Sequence, residues 1–96
     1  MSPIKRNKLS KIRIELDKLD NYLIKIIKKR TNLVKKVLEL KDKKNQIIDK
    51  KRINLILKNI KRKSLKNKID PKITHRIWKS MIWAYIDYEK RNFKRK

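Results

Sequence analysis

Between residues 9 and 40 the apolar residues fall on alternating steps of three and four: Leu9, Ile12, Leu16, Leu19, Leu23, Ile26, Leu33, Val37 and Leu40. Arg30 takes the one charged position of this heptad seam. The period predicts a single long helix over roughly residues 5–42. Such a helix spans ~55 Å at 1.5 Å per residue. A compact globule of 96 residues has a radius of gyration of only ~12–13 Å. One small domain cannot cover that seam, so the seam calls for a partner chain. An isolated coiled coil is the simpler alternative, but the remaining chain does not continue the heptads.

A polar break from Asp42 to Gln46 ends this helix. A second helix starts with Asp49 as N-cap, whose carboxylate accepts the free amides of the first turn. Ile53, Ile56, Leu57 and Ile60 form its apolar stripe, which fades through Lys66, Asn67 and Lys68. Asp70-Pro71 predicts the third start, a capping Asp followed by Pro at the first helical position. Ile73, Ile77, Trp78, Met81, Ile82, Tyr85 and Tyr88 then line one face up to about Phe93. The expected fold is all-α, with a long, a short and a medium helix in a single domain over residues 1–96. There is no Gly and there are only two Pro, which argues against a sheet protein with its tight turns and bulges.

Composition narrows the chemistry. With no Cys, disulfides and thiolate metal sites are excluded. The lone His75 builds no metal site without several carboxylates, so neither metal nor cofactor is expected. No apolar run approaches the ~18 residues of a membrane span and no signal peptide is visible, so a soluble cytoplasmic protein is expected. The formal net charge is +23, from 32 Lys and Arg against 9 Asp and Glu. Clustered cations would mark a nucleic-acid binder. Here they are spread along the whole chain with no stripe or tail, so nucleic acid is not the expected biological ligand. The same charge attracts small anions.

Arg30 is the first chemical signal. A guanidinium on an apolar seam is costly unless an anion meets it. That anion is either Asp20 or Glu39 of a partner chain or a ligand carboxylate, which Arg binds bidentately. Arg13 and Lys41 lie on the same face, four heptads apart, hence ~42 Å apart in one chain. They are symmetric about residue 27. An antiparallel pairing of two first helices would set Arg13 of one chain near Lys41 of the other, giving two identical pockets fed by both subunits. Arg52 stands one turn inside the second helix. Glu89 falls on the stripe of the third; if it is buried, desolvation disfavours the carboxylate, and a neutral Glu89 can donate a hydrogen bond.

The stretch Ile12-Arg13-Ile14-Glu15-Leu16-Asp17-Lys18-Leu19-Asp20, then Lys29-Arg30, then Val37-Leu38-Glu39-Leu40-Lys41, closely resembles the first helix of the all-helical chorismate mutases. Asp49-Lys50-Lys51-Arg52 resembles their second-helix motif. Asp70-Pro71, Ile77-Trp78 and Ile86-Asp87-Tyr88-Glu89 resemble their third. The resemblance covers residues 9 to about 90.

It implies an intertwined antiparallel homodimer that rearranges chorismate to prephenate in phenylalanine and tyrosine biosynthesis. Arg30 and the partner chain's copy of Arg13 would hold the two substrate carboxylates. Lys41 would bind a carboxylate and the ether oxygen, and Glu89 would hydrogen-bond that same oxygen. Asp49 and Arg52 would support the entrance and the hydroxyl end, while Val37, Met81, Ile82 and Ile86 would wall the ring. Two departures stand out. Ile53 replaces the Glu that usually follows Arg52 and binds the hydroxyl, and Tyr85 replaces a small residue. Both changes resemble the isochorismate-pyruvate lyases, which share the fold and make salicylate; Glu89 speaks for the mutase, since those lyases carry Gln. The interval from Lys41 to Arg52 is also one residue short. A non-catalytic domain binding an aromatic metabolite is the remaining alternative, and a basic helical nucleic-acid binder the last.

Overall fold

The computed structural model describes residues 1–94. Within them lie three α-helices and no strand: α1 (Pro3–Leu40), α2 (Lys50–Lys66) and α3 (Pro71–Asn92), with a short 3-10 turn at Lys44–Gln46 between α1 and α2. The long, short and medium order is the expected one. By packing the chain divides into two units, Met1–Leu33 and a second from Val34 onward.

α1 starts two residues earlier than the seam indicates. The Ser2 hydroxyl accepts the Lys5 N–H at 3.2 Å, its carbonyl accepts the Arg6 N–H at 2.9 Å, and Pro3 takes the first helical position. Ser followed by Pro is a helix start of the same kind as Asp70-Pro71. α1 also ends two residues early, at Leu40. The Lys41 N–H folds back onto the Leu38 carbonyl at 3.1 Å, tightening the last turn. Lys41 therefore belongs to the connection that follows α1 and not, contrary to expectation, to the helix that carries Arg13.

The N-terminal unit buries no residue, and Ile12, Leu16, Leu19, Leu23 and Ile26 of the seam are all exposed. Seam residues Leu33, Val37 and Leu40 are exposed as well. In the second unit α1 is covered along a different line, at Val34 and Leu38. That line sits one residue, or about 100°, round the helix from Leu33 and Val37. Leu38 packs on the core, leaving the seam uncovered.

The core of the second unit is Ile47, Ile82 and Ile86, with Ile48, Ile53, Ile56, Leu57 and Phe93 against it. Asp49 caps α2 as expected, its Oδ1 accepting the Arg52 N–H at 3.0 Å; Asp70 caps α3, its Oδ1 accepting the Lys72 N–H at 2.9 Å. The face of α3 differs from expectation in its first two turns. Ile73 and Ile77 are exposed and Thr74 turns inward in their place, while Trp78 lies on the inward line as expected. The cause is a polar tie between α2 and α3. Ser64, buried on α2, donates to the Ile60 carbonyl at 2.6 Å and shares a 2.6 Å hydrogen bond with the Thr74 hydroxyl. Hydroxyls that satisfy one another hold the inward line at Thr74, which an apolar pattern cannot register.

α2 ends in a Schellman motif. The Ile69 N–H reaches the Ser64 carbonyl at 2.9 Å, the Lys68 N–H reaches the Leu65 carbonyl at 3.2 Å, and Lys68 adopts φ 57°. This left-handed position usually carries Gly, and the sequence has none to offer.

Candidate functional site

Two of the residues singled out from the sequence meet in the second unit. The Lys41 ammonium donates to Glu89 Oε2 at 3.0 Å, with the side chains 18% and 7% exposed. Glu89 gets there by helical spacing: it follows Ile82 and Ile86 on the inward line of α3, and those two anchor the core. Lys41 gets there through the connection between α1 and α2. Its next two residues are tied down, since Gln46 Oε1 accepts the Asp42 N–H at 2.8 Å and the Lys43 N–H at 2.9 Å. Ile47, 4% exposed, then pins the connection into the core. A carboxylate as buried as Glu89 is costly without a partner, and the ammonium supplies one.

Lys41 also lines a cleft of about 560 Å³, together with Gln46, Ile48, Asp49, Lys50 and Lys51. Lys50 and Lys51 outweigh the Asp49 carboxylate, and Lys41 is balanced by Glu89, so the cleft keeps a positive field that suits an anion. The Asp49 carboxylate is already engaged in capping α2. Arg52 is exposed on the first turn of α2. Ile53 is partly buried against the core, which accounts for an aliphatic residue there by packing alone. Tyr85 is partly buried on the inward line of α3.

Of the residues expected to wall a ring, Ile82 and Ile86 lie in the core, Met81 is partly buried and Val37 is exposed. Arg13 and Arg30 belong to the N-terminal unit, Arg13 exposed and Arg30 partly buried. His75 lines a separate groove with Leu57, Lys58, Lys61, Pro71 and Lys72. Among the described residues no three His, Cys, Asp or Glu side chains are grouped to hold a metal, and no helix is long and apolar enough to cross a membrane.

Sequence reasoning reaches Gln46 only as the end of a polar break and Lys50 and Lys51 only as part of a motif, and it does not reach Ile47. A signal for Ile47 exists in the Ile47-Ile48 pair, which directly follows the polar break and precedes a helix cap. What the arrangement offers chemically is placed charge: an ammonium held at a buried carboxyl group, beside a cationic cleft.

The family model of chorismate mutase type II matches residues 12–90. No curated protein and no solved structure matches the chain.

Proposed function

The chain belongs to the type II chorismate mutase family, and we propose that it rearranges chorismate to prephenate as a homodimer. The observation that carries this reading is the Lys41–Glu89 contact, which joins residues 48 apart in sequence beside a cationic cleft. The reaction is unimolecular and pericyclic, so it uses neither a nucleophile nor a metal. It needs the substrate held in its compact reactive conformer. It also needs donors aimed at the negative charge that grows on the ether oxygen as the bond breaks.

In this proposal Lys41 binds a substrate carboxylate and the ether oxygen, and Arg30 takes a carboxylate. Arg13 comes from the second subunit, while Asp49 and Arg52 close the hydroxyl end. The exposed seam of α1 supports the dimer: it leaves Leu16, Leu19, Leu23 and Ile26 in water, and a second copy of the same helix laid antiparallel would cover them. Glu89 holds the Lys41 ammonium through Oε2 and so fixes that donor where the ether oxygen would lie.

The test is to incubate the protein separately with chorismate and isochorismate and identify the products by NMR. Prephenate from chorismate with little pyruvate from isochorismate establishes the mutase. Salicylate and pyruvate, with only slow prephenate formation, would make the chain an isochorismate-pyruvate lyase and give Ile53 and Tyr85 a functional meaning. Inertness toward both would leave a domain that only binds. For Glu89 the readout is kcat on chorismate. Glu89→Ala, which leaves Lys41 without its acceptor, should lose more than Glu89→Gln, which keeps one; a kcat unchanged in both would remove Glu89 from the site.

A further inference from the structure

We propose that Gln46 is a positioning residue that sets the aim of Lys41; the inference rests on the mutase reading for its effect on turnover. Because α1 stops at Leu40, no helix orients Lys41. Its reach to Glu89 is decided by the connection it opens, residues 41–49. That connection contains neither Gly nor Pro, and its residues 42–46 are exposed. Three fastenings hold it: the Gln46 amide, Ile47 in the core and Asp49 at the cap of α2.

The Gln46 fastening is the one that bears on Lys41 directly. Its Oε1 takes the N–H groups of Asp42 and Lys43, the two residues immediately after Lys41. Both partners are donors, so the amide must present its oxygen and not its NH₂ group. Two amides converging on one oxygen fix the peptide planes that follow Lys41, and with them the direction in which its side chain leaves the backbone. Gln46 lines the same cleft as Lys41 and Asp49. It is itself exposed, so losing its oxygen removes no core packing. A substitution there disturbs the aim of Lys41 far more than it disturbs the fold.

The experiment uses the full chain with Gln46→Leu, which keeps bulk and loses the acceptor, and Gln46→Glu, which keeps the acceptor. Four quantities are read: kcat and KM on chorismate, melting temperature, amide exchange at Asp42 and Lys43, and the carboxyl ¹³C shift of Glu89. For Gln46→Leu we expect faster exchange at both amides, a displaced Glu89 signal and a melting temperature lowered only slightly, as suits the loss of two solvent-exposed hydrogen bonds. Its kcat should fall roughly five- to tenfold, the worth of a lost neutral hydrogen bond felt at the transition state, with KM little changed. Gln46→Glu should recover most of that loss. An undiminished kcat in Gln46→Leu overturns the proposal, as does a loss that follows the melting temperature and that Gln46→Glu does not rescue. If the wild type turns over no chorismate, the mutase reading fails separately. The aim of Lys41 is then judged by NMR: unchanged exchange and an unmoved Glu89 signal in Gln46→Leu overturn the proposal, and changes in both uphold it.

Discussion

Met1–Leu33 carries Ile12, Leu16, Leu19, Leu23 and Ile26 on one line of α1 and buries none of them, while the unit from Val34 onward buries Ile47, Ile82 and Ile86 beside an ion pair. The two stretches are alike in being rich in Lys and Ile and free of Gly. What separates them is whether the apolar residues find a complement within the same chain. In the second unit α2 and α3 return on each other, so three isoleucines and a few partly buried neighbours make a core. In the first unit there is one helix and nothing within the unit for its seam to pack on. A regular hydrophobic pattern thus reports that burial is required and leaves open which chain supplies it.

The sharpest way to break this contrast is to shave the core. Ile86→Ala should cost about 2–5 kcal/mol, the usual range for truncating a buried aliphatic side chain. That is a large share of what so small a domain commands. The loss should be seen in urea denaturation at every protein concentration. Truncations within the N-terminal seam should behave differently, with losses that are full in concentrated protein and shrink as it is diluted, because what they lose is contact with a second copy. If Ile86→Ala and Leu23→Ala cost the same at all concentrations, the distinction between the units is wrong.

A more direct challenge falls on the seam itself. Sedimentation of the wild type should report a mass of two chains, and the double substitution Leu19→Glu with Leu23→Glu should report one. Both leucines are exposed in the single chain, so little intrachain packing is lost and the readout falls mainly on the partner. A wild type that sediments as one chain at micromolar concentration would remove the dimer and, with it, the route by which Arg13 reaches a second subunit's cleft.

The contrast also explains which parts of the molecule are legible in the sequence. Asp49 and Asp70 place α2 and α3, because a short polar side chain before a helix has one dominant use and both carboxylates perform it. Glu89 is legible as an acid on an apolar line. Ile73 and Ile77 mislead because two isoleucines at helical spacing outweigh a threonine in any apolar pattern, whereas the paired hydroxyls of Ser64 and Thr74 decide the inward face. Lys41 keeps the heptad spacing and so reads as part of α1; only the hydrogen bond back to Leu38 shows the helix has ended. The role of Gln46 is invisible because its partners are backbone amides, which leave no trace in side-chain periodicity.

The smallest effect concerns the end of α2, where the lack of Gly meets a backbone that calls for one. Lys68 sits at φ 57° between two Schellman hydrogen bonds. A residue with a Cβ is strained in that region by roughly 1–2 kcal/mol, and Gly is not. Gly, however, gives up more chain entropy on folding, by up to about 1 kcal/mol. The relief of strain and the added entropy oppose each other, and the strain outweighs the entropy. Lys68→Gly should therefore stabilise the second unit by about 0.5–1 kcal/mol. Lys68→Ala should gain nothing, since it keeps the Cβ. The pair of variants separates backbone strain from the loss of a positive charge in a chain of net charge +23. Equal gains from Gly and Ala would mean that relieving charge repulsion at the end of α2, and not the left-handed backbone, is what Lys68 costs the fold.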